Sequence, residues 1–180
     1  MKVIVLAAAR EEMLPEYFRE FEVFYTGIGK VNAAIATFRL AYETSPDIVI
    51  NIGTAGVLNP SLAHRISDVG RVIERDAMCE PLSPRGSFPF DSSPSEIHCS
   101  SSLIKLATGD SLVTSPDPWF VDNDVDLVDM EFFAIAKVLN RFQIPAFSLK
   151  YGSDFADNKV ATDWSLSLNN ASKCISEALP

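Results

Sequence analysis

Apolar runs of strand length recur along this chain, and each runs straight into a short turn rich in glycine or acid. Val3 to Ala9 is continuously apolar and enters Arg10-Glu11-Glu12. Phe21 to Tyr25 enters Thr26-Gly27-Ile28-Gly29-Lys30, and Ile48 to Asn51 enters Gly53-Thr54-Ala55-Gly56. Leu103 to Ala107 enters Thr108-Gly109-Asp110-Ser111. Val125 to Met130 reads as a strand, and Glu131 opens an apolar-periodic helix through Phe132, Ile135, Ala136 and Leu139. Ala146 to Tyr151 is a last strand, with Gly152-Ser153-Asp154 at its end. Strands alternating with helical segments specify an α/β class fold. The expectation is a single domain over residues 1–180 with a central mixed, mostly parallel sheet flanked by helices.

Helices are expected at Glu11–Glu20, Val31–Tyr42, Glu131–Arg141 and Trp164–Ala178. The second carries Ala34, Ile35, Phe38 and Ala41 as a core-facing stripe. Val69 to Arg75 reads as a further strand. After it Pro81, Pro84, Gly86, Pro89 and Pro94 mark a long irregular segment, continued by the serine-rich Asp91–Ser102. Such a segment is an ordered loop over a site or a mobile lid.

Composition narrows the function classes. The 180 residues, 47% apolar and 22% charged, suit one ordinary globular domain. No apolar run is long enough to span a bilayer, and Met1-Lys2 leads into a strand rather than a secretory signal. Cys79, Cys99 and Cys174 are odd in number and, with His64 and His98, lack metal-ligand spacing, so reduced thiols in the cytoplasm are expected. A net charge of −9 argues against binding a nucleic-acid backbone and is compatible with a neutral small molecule.

The six turn motifs, in this order, resemble the nucleoside phosphorylase/nucleosidase superfamily, most of all its methylthioadenosine/S-adenosylhomocysteine nucleosidase branch. The resemblance spans Met1 to Asp157. It implies a phosphorylase/nucleosidase-like three-layer sandwich, a purine nucleoside as substrate, no metal or organic cofactor, and a homodimer. Hydrolysing an N-glycosidic bond to a purine requires a proton for the leaving base, stabilisation of a cationic sugar, and a positioned water. Carboxylates can supply all three.

By resemblance, Asp154 is the general acid and Ser153 its orienting partner; that role demands burial of the carboxyl. Taken alone, Asp154 reads first as a turn former, and the resemblance is what puts the catalytic role ahead. Glu131 matches the ribose-binding glutamate, where a carboxylate can accept from two vicinal hydroxyls. Met130 packs against sugar or base, or is simply a core residue. Glu12 matches the glutamate that positions water; equal spacing from the strand start favours it over Glu11, and the pair also suits a helix N-terminus. Thr26 and Gly29 belong to a turn resembling one that lines the ligand, Ala55 and Gly56 to a turn near the base plane, and Leu112 and Val113 to the segment against the purine ring.

Two departures from the family pattern stand out. Phe132-Phe133 replace small residues after Met130-Glu131, so either the pocket or the helix packing differs. The segment between Ala77 and Ser102 is short, which leaves the 5′ substituent open. Phosphorylases of the superfamily carry phosphate-holding arginines after the first strand and at the third turn. Here those places read Ala9-Arg10-Glu11-Glu12 and Asn51-Ile52-Gly53-Thr54. Hydrolysis is the better reading, with Arg10 the residue that could favour phosphate. A phosphorylase, a futalosine-type hydrolase and a catalytically silent nucleoside-binding protein remain the alternatives. Phe88, Phe90, Trp119 and Phe120 suit an interface if exposed and a core otherwise.

Overall fold

The computed structural model describes residues 1–115 and 117–179. Nine strands form one sheet: β1 (Val3–Ala7), β2 (Val23–Tyr25), β3 (Ile48–Val57), β4 (Ile66–Asp68), β5 (Arg71–Glu74), β6 (Glu96–His98), β7 (Lys105–Thr108), β8 (Leu127–Asp129) and β9 (Ala146–Asp154). The helices are α1 (Lys30–Thr44), α2 (Pro118–Asp122), α3 (Phe132–Arg141) and α4 (Val160–Ala178). Strand order is β2-β1-β3-β8-β7-β5-β6, with β9 paired to β3 and β4. The pairs β1–β2, β1–β3, β3–β9, β5–β7 and β7–β8 are parallel; β3–β8, β4–β9 and β5–β6 are antiparallel. The mixed, mostly parallel α/β sheet is as expected.

Period-two alternation explains why β1 is apolar throughout. Ile4 and Leu6 join the core under α1 and α3, while Val5 and Ala7 join the core on the opposite face, which holds Ala171 and Ile175 of α4. Phe132 and Phe133 are both buried in the α1–α3 core. Neither ring lines the cavity that holds the acids.

Four local expectations are corrected. Glu11–Glu20 is not a helix; only Pro15–Tyr17 makes a single 3-10 turn. Pro15 disfavours helical backbone at Leu14 and supplies no N–H, so a helix cannot pass through. Gly53-Thr54-Ala55-Gly56 is not a turn but lies in the second half of β3, paired with β9 from Gly53 opposite Lys150 to Gly56 opposite Asp154, with a register shift that passes over Ser153. Half of the stripe on α1 does not face the core: Ile35 and Phe38 are 64% and 55% exposed, whereas Ala34 packs against the core from a half-buried position and Ala41 is buried in it. The buried face is Ala33, Thr37, Leu40 and Ala41. Mostly small residues, with Leu40, form the face of α1 turned to the sheet and α3, and Ile35 and Phe38 are left outside. Finally, the segment after Ala77 is not wholly irregular, since β6 lies within it and pairs with β5.

Candidate active site

The ends of β1, β8 and β9 open on one cavity of about 460 Å³. β8 and β9 are not neighbours: β3 lies between them and pairs with both. Glu12, Glu131 and Asp154 all line this cavity, together with Ser153, Met130, Ala55, Gly56, Leu112 and Val113.

Glu12 sits in the turn that closes β1, where the Glu12 and Met13 amides donate to Ala9 O. Its Oε1 accepts from the backbone N–H and the hydroxyl of Thr54, both at 2.6 Å. The Thr54 hydroxyl in turn accepts from Trp164 Nε1 of α4 at 2.9 Å. A Cβ at Gly53 would stand 3.0 Å from Glu12 Oε1. Glycine there leaves room for the carboxylate's approach to the strand and does not mark a turn. Gly56 has the same role at the other end: a Cβ would meet Val128 Cγ2 at 2.9 Å and Asp154 Oδ1 at 3.2 Å.

Asp154, the last residue of β9, is 5% exposed. Its Oδ2 accepts from Ser153 Oγ at 2.6 Å and its Oδ1 from Ala156 N at 2.9 Å. The serine hydroxyl thus holds one oxygen of the carboxyl and the Ala156 N–H the other.

Glu131 lies between β8 and α3, and its Oε1 accepts from Gly29 N at 2.8 Å. Gly29 has φ +93° and directly precedes α1. The carboxylate thus meets the positive end of a 15-residue helix. Burial pushes the Glu131 carboxyl up to about 7, and the negative charges of Asp129 and Glu12 add to this; Lys150 and the Gly29 N–H oppose it.

Beneath Glu131 lies a buried ion pair. Lys150 Nζ stands 3.0 Å from Asp129 Oδ2, and both side chains are almost wholly enclosed. Asp129 also accepts from Thr108 Oγ1 at 2.5 Å and from Phe132 N at 3.0 Å. Burial disfavours the ammonium, but Asp129, Glu131 and Glu12 outweigh it and hold Lys150 above its ordinary range. The cation therefore sits centrally among the site's acids.

Two expected residues are not brought to the cavity. Thr26 donates its hydroxyl to Gly27 O at 2.9 Å and faces a separate groove beside α1. Gly29 does not line the cavity wall; it acts through its N–H on Glu131. Sequence reasoning also missed Lys150, Trp164 and Arg75. A lysine in the apolar run of β9, at the same strand parity as Asp154, was a legible signal for the first. Arg75 lines the cavity, but its guanidinium is occupied by the carbonyls of Gly109 and Ser111 and by Ser111 Oγ. Arg10, the arginine that could have favoured phosphate, is exposed and lies over the Tyr25 ring at 4.8 Å.

A raised carboxyl has a stability consequence. Glu131 binds its proton more tightly folded (about 7) than at its ordinary value of 4.5. Its contribution is full below pH 4.5 and is lost as pH rises to 7. Urea unfolding at pH 5 and pH 8 is expected to show a larger loss of stability in the wild type than in Glu131→Gln.

The Phosphorylase superfamily model matches residues 18–115. A 5′-methylthioadenosine/S-adenosylhomocysteine nucleosidase of Staphylococcus aureus (strain bovine RF122 / ET3-1) is 29% identical over 182 residues, covering 89% of this chain and 80% of that protein. A mutant nucleosidase of Helicobacter pylori with 5′-methylthioadenosine in its active site has the same fold at TM-score 0.89, with 24% identity over 98% of this chain and 95% of that one. The futalosine hydrolase of Helicobacter pylori superposes at TM-score 0.88, with 22% identity over 98% and 94% of the two chains. With its motifs in order, its sheet topology shared and more than half its length matched, this chain belongs to the phosphorylase superfamily.

Proposed function

We propose that this chain hydrolyses the N-glycosidic bond of a purine nucleoside of the methylthioadenosine/S-adenosylhomocysteine type, releasing the free base and a ribose derivative. The observation that carries the reading is three buried carboxylates on one apolar-walled cavity, each with a different set of partners. Asp154, enclosed and oriented by Ser153, protonates a purine ring nitrogen as the bond from that base to C1′ breaks. Glu131 accepts from the ribose hydroxyls and places negative charge beside the cationic sugar. Glu12, fixed by Thr54, orients a water and takes its proton as oxygen adds to C1′. Leu112, Val113 and Met130 supply the apolar walls for base and sugar.

The acceptor side supports hydrolysis over phosphorolysis. Glu12 holds the position from which a nucleophile approaches, and an anion there is repelled. Among the described residues the only arginine lining the cavity is Arg75, whose fork is already occupied. The test is base release from methylthioadenosine, S-adenosylhomocysteine, aminofutalosine, adenosine and inosine. Release from the first two ahead of the rest is the expected order. Release from none of the five would contradict the reading and favour a binding protein.

The same reading includes a homodimer in the cytoplasm. Its support is the outer face of α1, where Val31, Ile35, Phe38 and Tyr42 recur at helical spacing and stand exposed, with Ile28 beside them. Three free cysteines suit a reducing compartment. Phe38→Glu is expected to convert a dimer to a monomer by light scattering. A wild type already monomeric at micromolar concentration would contradict the assembly.

A further inference from the structure

Glu74, Arg75 and Asp76, at and just beyond the end of β5, take no part in the chemistry described so far. Lys30 opens α1 directly after Gly29. Its Nζ lies 2.5 Å from Glu74 Oε1, 2.5 Å from Asp76 Oδ1 and 3.9 Å from Asp110 Oδ2. Its backbone N–H donates to Asp110 Oδ1 at 2.7 Å, and Asp110 N donates to Asp76 Oδ2 at 2.6 Å. Strand alternation turns Arg75 the other way, onto the carbonyls of Gly109 and Ser111. Three turns, those after β2, β5 and β7, are thereby tied together at one edge of the cavity.

The turn after β2 is the one that delivers the Gly29 N–H to Glu131. It contains two glycines at positive φ, Gly27 at +86° and Gly29 at +93°, so its own backbone preferences hold it only loosely. We propose that Lys30 is a positioning residue: held by Glu74 and Asp76, its ammonium fixes this turn so that the Gly29 N–H stays on Glu131 Oε1. The inference rests on Glu131 as the ribose-binding carboxylate. Lys30 is half-buried; burial disfavours its charge, but the bonds to Asp76 and Glu74 outweigh this and keep it protonated. Without it, Glu74, Asp76 and Asp110 face one another with no cation between them and push the turn outward.

Glu131 itself faces Asp129 on its own strand end, Lys150 on β9, Glu12 beyond β1 and the Gly29 N–H. The Lys30 ammonium spends its bonds on Glu74 and Asp76, so its effect on Glu131 travels through the backbone of the turn.

The test combines a carbon-13 NMR titration of the Glu131 carboxyl, assigned with Glu131→Gln, and steady-state kinetics on methylthioadenosine. Lys30→Met is expected to raise the titration midpoint of Glu131 and to lower kcat/KM by about 10²-fold, the scale of a misplaced binding group. Lys30→Arg, which keeps the charge, should restore most of both. A merely structural lysine would lower stability and leave the Glu131 midpoint unmoved, and a folded Lys30→Met with an unmoved midpoint overturns the proposal. If Lys30→Met does not fold, Asp76→Asn removes one arm of the clasp and should move the midpoint in the same direction by less; no movement there also overturns it. Should the wild type turn over no nucleoside, the functional reading fails, while the titration still decides the role of Lys30.

Discussion

Asp154→Asn is expected to lower turnover of methylthioadenosine by about 10³-fold while leaving nucleoside binding within a few-fold of the wild type. An amide matches the carboxyl in shape: its oxygen can still accept from Ala156 N, and its NH2 can donate to Ser153 Oγ, whose hydroxyl also reaches Ala55 O, so the local structure is retained. It cannot deliver an acid proton, and an unprotonated purine leaves poorly. The effect should fall on kcat, because the lost interaction is made as the bond breaks. Calorimetric binding to Asp154→Asn beside single-turnover kinetics gives the comparison. Retained turnover would move the acid role elsewhere; lost binding would make Asp154 a structural residue of β9.

The second large effect concerns stability. Lys150→Met should destabilise the fold by roughly 3–5 kcal/mol, since removing one partner leaves an uncompensated buried charge. Lys150 is 2% exposed and its partner Asp129 lies 3.0 Å away. The double variant Lys150→Met, Asp129→Asn should recover much of this loss, because the neutral amide can accept from Phe132 N through its oxygen and donate its NH2 to Thr108 Oγ1. Activity should not return with stability, because the cation among Asp129, Glu131 and Glu12 is gone. Urea denaturation of the three proteins separates the outcomes. Equal stability of wild type and Lys150→Met would mean that the pair carries no net stabilisation, and a double variant no more stable than the single would remove the buried charge as the cause.

The sheet was legible because buried strands are written as uninterrupted apolar runs, and Val3 to Ala7 satisfies two cores at once. The segment Gly53 to Gly56 was found for an incomplete reason. Its glycines suggest a turn, yet they serve a strand on which Glu12 and Asp154 must come close, a requirement only the packed structure displays. The α1 stripe shows a different limit. Periodicity reports that a face is apolar, and says nothing of whether the sheet or another surface covers it. Ala33, Thr37 and Leu40 form the true inner face and are the less conspicuous set. At Glu11–Glu20 Pro15 outweighs the helix-favouring acids around it. β4 and β6 escaped notice because three-residue strands bearing Asp68, Glu96 and His98 have no apolar signature. Glu12, Glu131 and Asp154 each follow a strand, but it is their match to the superfamily's motifs that singles them out, and the cavity brings all three together. Lys150 is marked by its place in an apolar strand, though its partner Asp129 is not, while the role of Trp164 depends wholly on Thr54, distant in sequence.

The central claim is hydrolysis at this three-carboxylate cavity. Its most direct measurement is the identity of the sugar product from methylthioadenosine, with and without phosphate. Free base and reducing sugar in equal amounts, at a rate independent of phosphate, is the predicted result. A sugar phosphate that appears only when phosphate is present would contradict it.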